Sequence, residues 1–215
     1  MRSKNNPLLI LLLLTFFKVS IYSKEFIEFH PEKQIIPLKF KGYKFDTKYE
    51  NPPCFKISSK YCIFQTYIVS PNEKENDRKL FLIKMNKTEK KISYVSTGSG
   101  DNYSMNPYFF KVKNNSNRIL ILCELGTEYS WGFRVFLFEN NQMKDIGDLD
   151  IAKNVDESKD DSALRSLKIL EYKNGIKFQF RGNLNLYPGE ADRLKPIGSA
   201  IFLFNGKRIK LLYSH

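Results

Sequence analysis

Apolar residues in this chain come in short clusters, and between the clusters lie Asn, Gly, Ser and Lys. Within a cluster Val, Ile, Leu, Phe and Tyr dominate, several of them side chains that fit a pleated, half-buried surface. The clusters also come in pairs. Residues 200–204 and 207–213 flank Asn205-Gly206, the strongest short hairpin signal because that dipeptide tolerates positive φ. Residues 166–172 and 176–180 flank a turn at Asn174-Gly175, and residues 133–138 and 143–151 flank Asn140-Asn141. Residues 108–112 and 118–122 turn around 114–117, and residues 79–84 and 90–95 turn around 86–89. A further pair surrounds Ser58-Ser59, its second arm running on to Val69.

Turns near residues 87, 115, 141, 174 and 205 recur about every 30 residues, in plan rather than in residue-by-residue identity. The pattern predicts an all-β fold, an antiparallel meander of about five to six β-hairpins forming a sandwich or barrel-like domain. Propeller-like blades are the alternative, but at about forty residues per blade the hairpins give too few to close a ring. The nearest approach to a helix is residues 155–170, with Asp156, Glu157 and Asp160 early and Lys168 late. That stretch reads equally as a solvated acidic loop.

The start of the chain breaks the pattern. Lys4 precedes an unbroken apolar run from Leu8 to Leu14 and on through Phe17, followed by a polar exit with small Ser23. A basic start, about ten apolar residues and a small residue describe a signal peptide, and the run is too short to span a bilayer. Residues 1–23 are therefore expected to be cleaved near Ser23, leaving an exported chain, periplasmic or secreted, without a transmembrane segment. Residues 24–53 hold Pro31, Pro37, Pro52 and Pro53 and predict an extended Pro-rich arm with an edge strand. Residues 54–215 show no linker-like break and form a single all-β domain.

Charge and cysteines refine this picture. The net charge is +12, of which Arg2, Lys4 and Lys18 belong to the leader, and the basic residues are dispersed. Such a surface draws anionic partners, while export and the lack of a basic arm argue against nucleic acid. Cys54 and Cys62 fall opposite each other in a hairpin centred on residue 58 and are expected to form a disulfide in an oxidising compartment. Cys123, inside an apolar run, reads as a small buried hydrophobe.

Little in the sequence points to catalysis. The histidines are His30, in the arm, and His215, the last residue, so His-based triads and zinc sites lack a rigidly held base. No catalytic residue and no bound metal is assigned. Asp145, Asp148 and Asp150 have alternate spacing that could offer oxygens to Ca²⁺, without the EF-hand pattern. Carboxylates beside aromatics keep a carboxylate-based glycan hydrolase open as an alternative, using Glu124 or Glu128 with Glu190 or Asp192. The glycine-rich stretch 96–107 lacks the Gly-Lys-Ser/Thr of a P-loop.

The loops between hairpins are the richest candidates. A meander places them along one edge, where they would present Tyr103, Tyr129, Trp131, Arg181, Tyr187 and Arg193. Tyr, Trp and Arg dominate binding hot spots, and long loops on a rigid sheet are where function resides. The sequence thus points to a non-catalytic binding or inhibitor-like module whose partner is a protein or anionic glycan of the cell envelope. A structural envelope protein that pairs through its sheet edges is a further alternative.

Overall fold

A computed structural model describes residues 24–37, 39–45, 52–67, 78–87, 89–99, 104–113, 115–126, 130–153, 162–173, 175–186 and 194–215. The first strands are β1 (Glu25–Phe29), β2 (Glu32–Gln34), β3 (Cys54–Lys56), β4 (Tyr61–Tyr67), β5 (Arg78–Met85) and β6 (Lys90–Val95). They are followed by β7 (Ser104–Val112), β8 (Asn115–Gly126), β9 (Ser130–Glu139), β10 (Gln142–Leu149) and β11 (Ile151–Lys153). The chain ends with β12 (Leu167–Tyr172), β13 (Gly175–Leu186), β14 (Lys195–Phe204) and β15 (Ile209–Ser214). Every expected hairpin is present and antiparallel, and no α-helix occurs among the described residues. No helix there is long and apolar enough to cross a membrane.

The strands form two sheets. A ten-stranded sheet runs β10-β9-β8-β7-β1-β12-β13-β14-β15, with β11 pairing the far half of β13, and curls into a nearly closed barrel. Its two edges approach each other without a ladder: Lys144 Nζ donates to the Gly206 carbonyl at 3.1 Å, and Gly147 lies against Ile209. A five-stranded sheet, β2-β3-β4-β5-β6, packs on the outer wall of the barrel.

Alternation along each strand divides the apolar residues among three cores. Leu120 and Leu122 of β8, Val135 and Leu137 of β9, and Phe178 and Phe180 of β13 fill the barrel. Ile119, Ile121 and Cys123 of β8 and Phe136 and Phe138 of β9 point outward and meet Ile63, Leu80 and Leu82 of the smaller sheet. Phe64, Phe81 and Ile83 line the far face of the smaller sheet, beneath a strap holding Ile36, Phe40 and Phe45. Burial on both faces explains why β8 reads as a continuous apolar run. Each fully buried Leu or Phe contributes roughly 1.5–3 kcal/mol.

The arm differs from its expected role. β2 is an edge strand, but β1 lies in the interior of the large sheet, pairing β7 on one side and β12 on the other. It joins two meanders, β7–β10 and β12–β15, into one wall. Residues 163–166 form a single 3₁₀ turn, whose N-cap Ser162 accepts from the Leu164 N–H, and β12 starts at Leu167; the acidic part of the expected helix, residues 155–161, lies outside the described residues.

Local turn chemistry matches the sequence in kind and differs in detail. Asn140 and Asn141 both have positive φ, as a tight two-residue hairpin requires. Tyr172 pairs with Gly175 across a turn in which Lys173 has φ 50°, and Gly175 opens β13 where a Cβ would strike the Phe204 carbonyl. Asn205-Gly206 lies in a four-residue loop between Phe204 and Ile209, where the Asn205 side-chain oxygen accepts from the Lys207 N–H. Cys54 and Cys62 form the expected disulfide, with Cα atoms 5.8 Å apart. The β3–β4 register pairs Lys56 with Cys62, so the bridge crosses the ladder diagonally.

Candidate functional site

The barrel has two unlike ends. The β7–β8, β9–β10, β12–β13 and β14–β15 junctions gather at one, and the ends of β7, β8, β9, β11, β13 and β14 that carry the remaining connections, most of them longer, gather at the other. Register fixes this second rim: Ser104 pairs Gly126, Gly126 pairs Ser130, and Leu186 pairs both Ile151 and Lys195. The connections expected along one edge do leave from a common rim.

Of the six binding candidates, Tyr103, Tyr129, Tyr187 and Arg193 lie outside the described residues. Trp131 belongs to β9, at the irregularity where the register slips between the Leu125–Gly132 and Gly126–Ser130 pairs. Arg181 is exposed but is not in a loop: it lies within β13, opposite Ser199 of β14. A register shift between Arg181 and Leu184, with Gly182 at φ 132°, lets the strand continue to Leu186. Arg181 therefore projects from the barrel wall below the rim.

Beneath the rim the barrel is stoppered. Glu124 follows Leu120 and Leu122 on the inward face of β8, and both its oxygens are engaged: Tyr108 Oη donates to Oε2 at 3.1 Å and Ser162 Oγ to Oε1 at 2.8 Å. The turn after Ser162 drops Ala163 into the core. The parity of Glu124 with Leu120 and Leu122 was the sequence signal for this inward carboxylate. Its companions in the hydrolase alternative, Glu128, Glu190 and Asp192, lie outside the described residues. At the opposite end Arg118 lies 3.0 Å from Glu171 and 3.2 Å from Glu139, an ion cluster over the other mouth.

A second polar cluster lies where the two sheets meet, and sequence reasoning missed it. Arg134 leaves the outer face of β9, donating from Nε to Asp148 at 3.0 Å and from Nη1 to the Gly98 carbonyl at 2.6 Å and Thr97 Oγ1 at 3.2 Å. Burial opposes its charge, yet Asp148, with Asp145 behind it, holds its pKa above the ordinary value. Ser96 ties the same segment to β5, its Oγ accepting from the Leu80 N–H at 2.8 Å. The small residues of 96–99 thus serve as a clasp between the sheets.

Neighbouring groups feel this seam. Burial raises the pKa of Tyr94, and Asp145 adds to it. Burial also raises Asp145, against the Gly147 N–H that donates to its Oδ1 at 2.9 Å and against Arg134. Asp150 is raised by burial and then by Asp148. Asp148 and Asp145 are thus engaged with Arg134 and Gly147, and among the described residues no group of three or more His, Cys, Asp or Glu gathers to hold a metal ion. Cys123 is fully buried, and burial pushes its thiol far above the ordinary range.

Family models, curated proteins and solved structures yield no match to this chain.

Proposed function

We propose that this chain is an exported, non-catalytic binding module whose rim of connecting segments meets a protein or acidic glycan of the cell envelope. The observation that carries the reading is topological: the longer connections leave from one end of a barrel stoppered below them by Glu124, Tyr108 and the 3₁₀ turn. A rigid wall under clustered segments is the usual arrangement for recognition. The engagement of both Glu124 oxygens favours a structural over a catalytic use of that acid.

The test is capture of envelope proteins and glycans by the purified protein, washed at low and at high salt. A partner retained at high salt, and bound about 10-fold more weakly by Trp131→Ala or Arg181→Ala variants that melt normally, supports the reading. Binding that vanishes with salt and ignores both substitutions refutes it.

A second reading has its own observation. β15 is an edge strand exposing Leu211, Leu212 and Tyr213 in succession, which favours a structural protein that pairs through its edges. Concentration-dependent assembly, abolished by Leu212→Lys, would select that reading.

A further inference from the structure

Exposed cations are grouped closely at one end of the molecule. At the tight-turn end, the β5–β6 hairpin carries Lys84, Lys87, Lys90 and Lys91, all exposed. The β3–β4 turn adds Lys60, exposed and held alongside because the Met85 N–H donates to the Lys60 carbonyl at 2.7 Å. These residues form two successive ranks across the sheet, Tyr61–Lys84–Lys91 and Lys60–Met85–Lys90. Lys84 and Lys91 are directly opposed, an arrangement that repels. Glu89 is the single carboxylate on these two turns, and among the described residues none of the five lysines has an ion-pair partner.

The barrel's turns extend the same surface. Tyr61 packs 5.3 Å from Phe138, next to the Asn140-Asn141 turn, which brings the lysine ranks to the barrel's tight-turn end. Lys113, Lys173, Lys207 and Arg208 are exposed on the neighbouring turns. Of the barrel's acids at this end, Glu139 and Glu171 are both drawn to Arg118, and Glu25 lies 3.6 Å from Lys168. The ends of the strands at the opposite rim also carry exposed Arg165, Arg181 and Lys195, so the tight-turn end is set apart by how closely its cations are grouped.

We propose that the tight-turn end is a docking surface for a linear acidic polysaccharide, separate from the loop rim. The cations lie on adjacent strands and turns about one strand spacing apart, a spread row that suits a repeating anion rather than a single phosphate or carboxylate. Turns made of Lys, Asn, Ser and Gly offer few apolar groups for insertion into lipid. The inference rests on the binding reading above but places the anionic glycan at the other end of the barrel.

The experiment measures binding to heparin and to polygalacturonate over a salt series, with neutral dextran and vesicles of anionic lipid as comparators. Lys84→Gln/Lys87→Gln/Lys91→Gln is compared with Lys39→Gln/Lys41→Gln/Lys44→Gln, which removes the same charge from the strap, away from both ends. The expected result is a loss of at least about 10-fold and a salt slope shallower by about 2 to 3 for the first triple, with less than about 2-fold for the second. Equal losses in both triples would show that net charge alone is responsible and overturn the proposal. Vesicles bound as tightly as the polymers at equal anionic charge would overturn the polysaccharide assignment. Rim-partner capture is measured on the same triples. Its persistence when polymer binding fails, or its absence when polymer binding succeeds, separates this proposal from the reading it rests on.

Discussion

Asp145 shows how one residue can be placed against its own electrostatic preference. Its carboxylate caps the bulge of β10 by accepting from the Gly147 N–H, and burial raises its pKa above the ordinary 3.8. A carboxyl whose folded pKa exceeds its unfolded one binds more protons folded than unfolded, so stability falls as pH rises through the window from 3.8 to the raised value. Asn at this position keeps the acceptor for Gly147 and removes the charge. Asp145→Asn should flatten that part of the urea-denaturation pH profile and hold or raise stability at pH 7 by up to about 1 kcal/mol. A lower stability at pH 7 would mean that its attraction to Arg134 outweighs desolvation. Arg134 itself was not legible in sequence, because Gly98 and Thr97 reach it from the other sheet, 36 and 37 residues away. The alternate spacing of Asp145, Asp148 and Asp150 was visible, but not the guanidinium beside it.

At the scale of elements, legibility followed sequence separation. The hairpins could be read because their turns carry Asn, Gly and Ser between β-forming runs, and a local turn sets its own register. β1 could not be placed that way. Its partners are Phe26–Val112 on one side and Phe26–Ile169 on the other, with no turn to announce either. The Gly182 irregularity likewise hid the length of β13, which is why Arg181 read as part of a loop. Because β1 holds two meanders together, its damage should spread. Phe26→Ala should cost about 3–5 kcal/mol in one cooperative transition, while Ile35→Ala, at 79% exposure, should leave stability unchanged. A Phe26→Ala protein melting in two separate steps would show that the meanders are independent.

For the whole molecule, the number of strands around the barrel fixes the relative direction of its two edges. The path β10-β9-β8-β7-β1-β12-β13-β14-β15 is antiparallel at each step and holds nine strands, so its first and last members run the same way. Among the described residues these edges form no ladder and meet through contacts such as Lys144 with Gly206 and Gly147 with Ile209. Amide hydrogen exchange should be fastest along β15 and slowest in β8 and β9, where both faces are buried; uniform protection around the barrel would contradict an open seam. The position of β1 also bears on the order in which the molecule can be made. The strand synthesised first among those described finds its second partner only when residues 167–172 have emerged. A vectorially growing chain cannot finish its wall until most of it exists, and such distant pairing folds slowly. Under the proposal of export, in which the chain would pass a translocation pore as an unfolded thread, this delay would be protective, leaving the barrel to assemble on the far side.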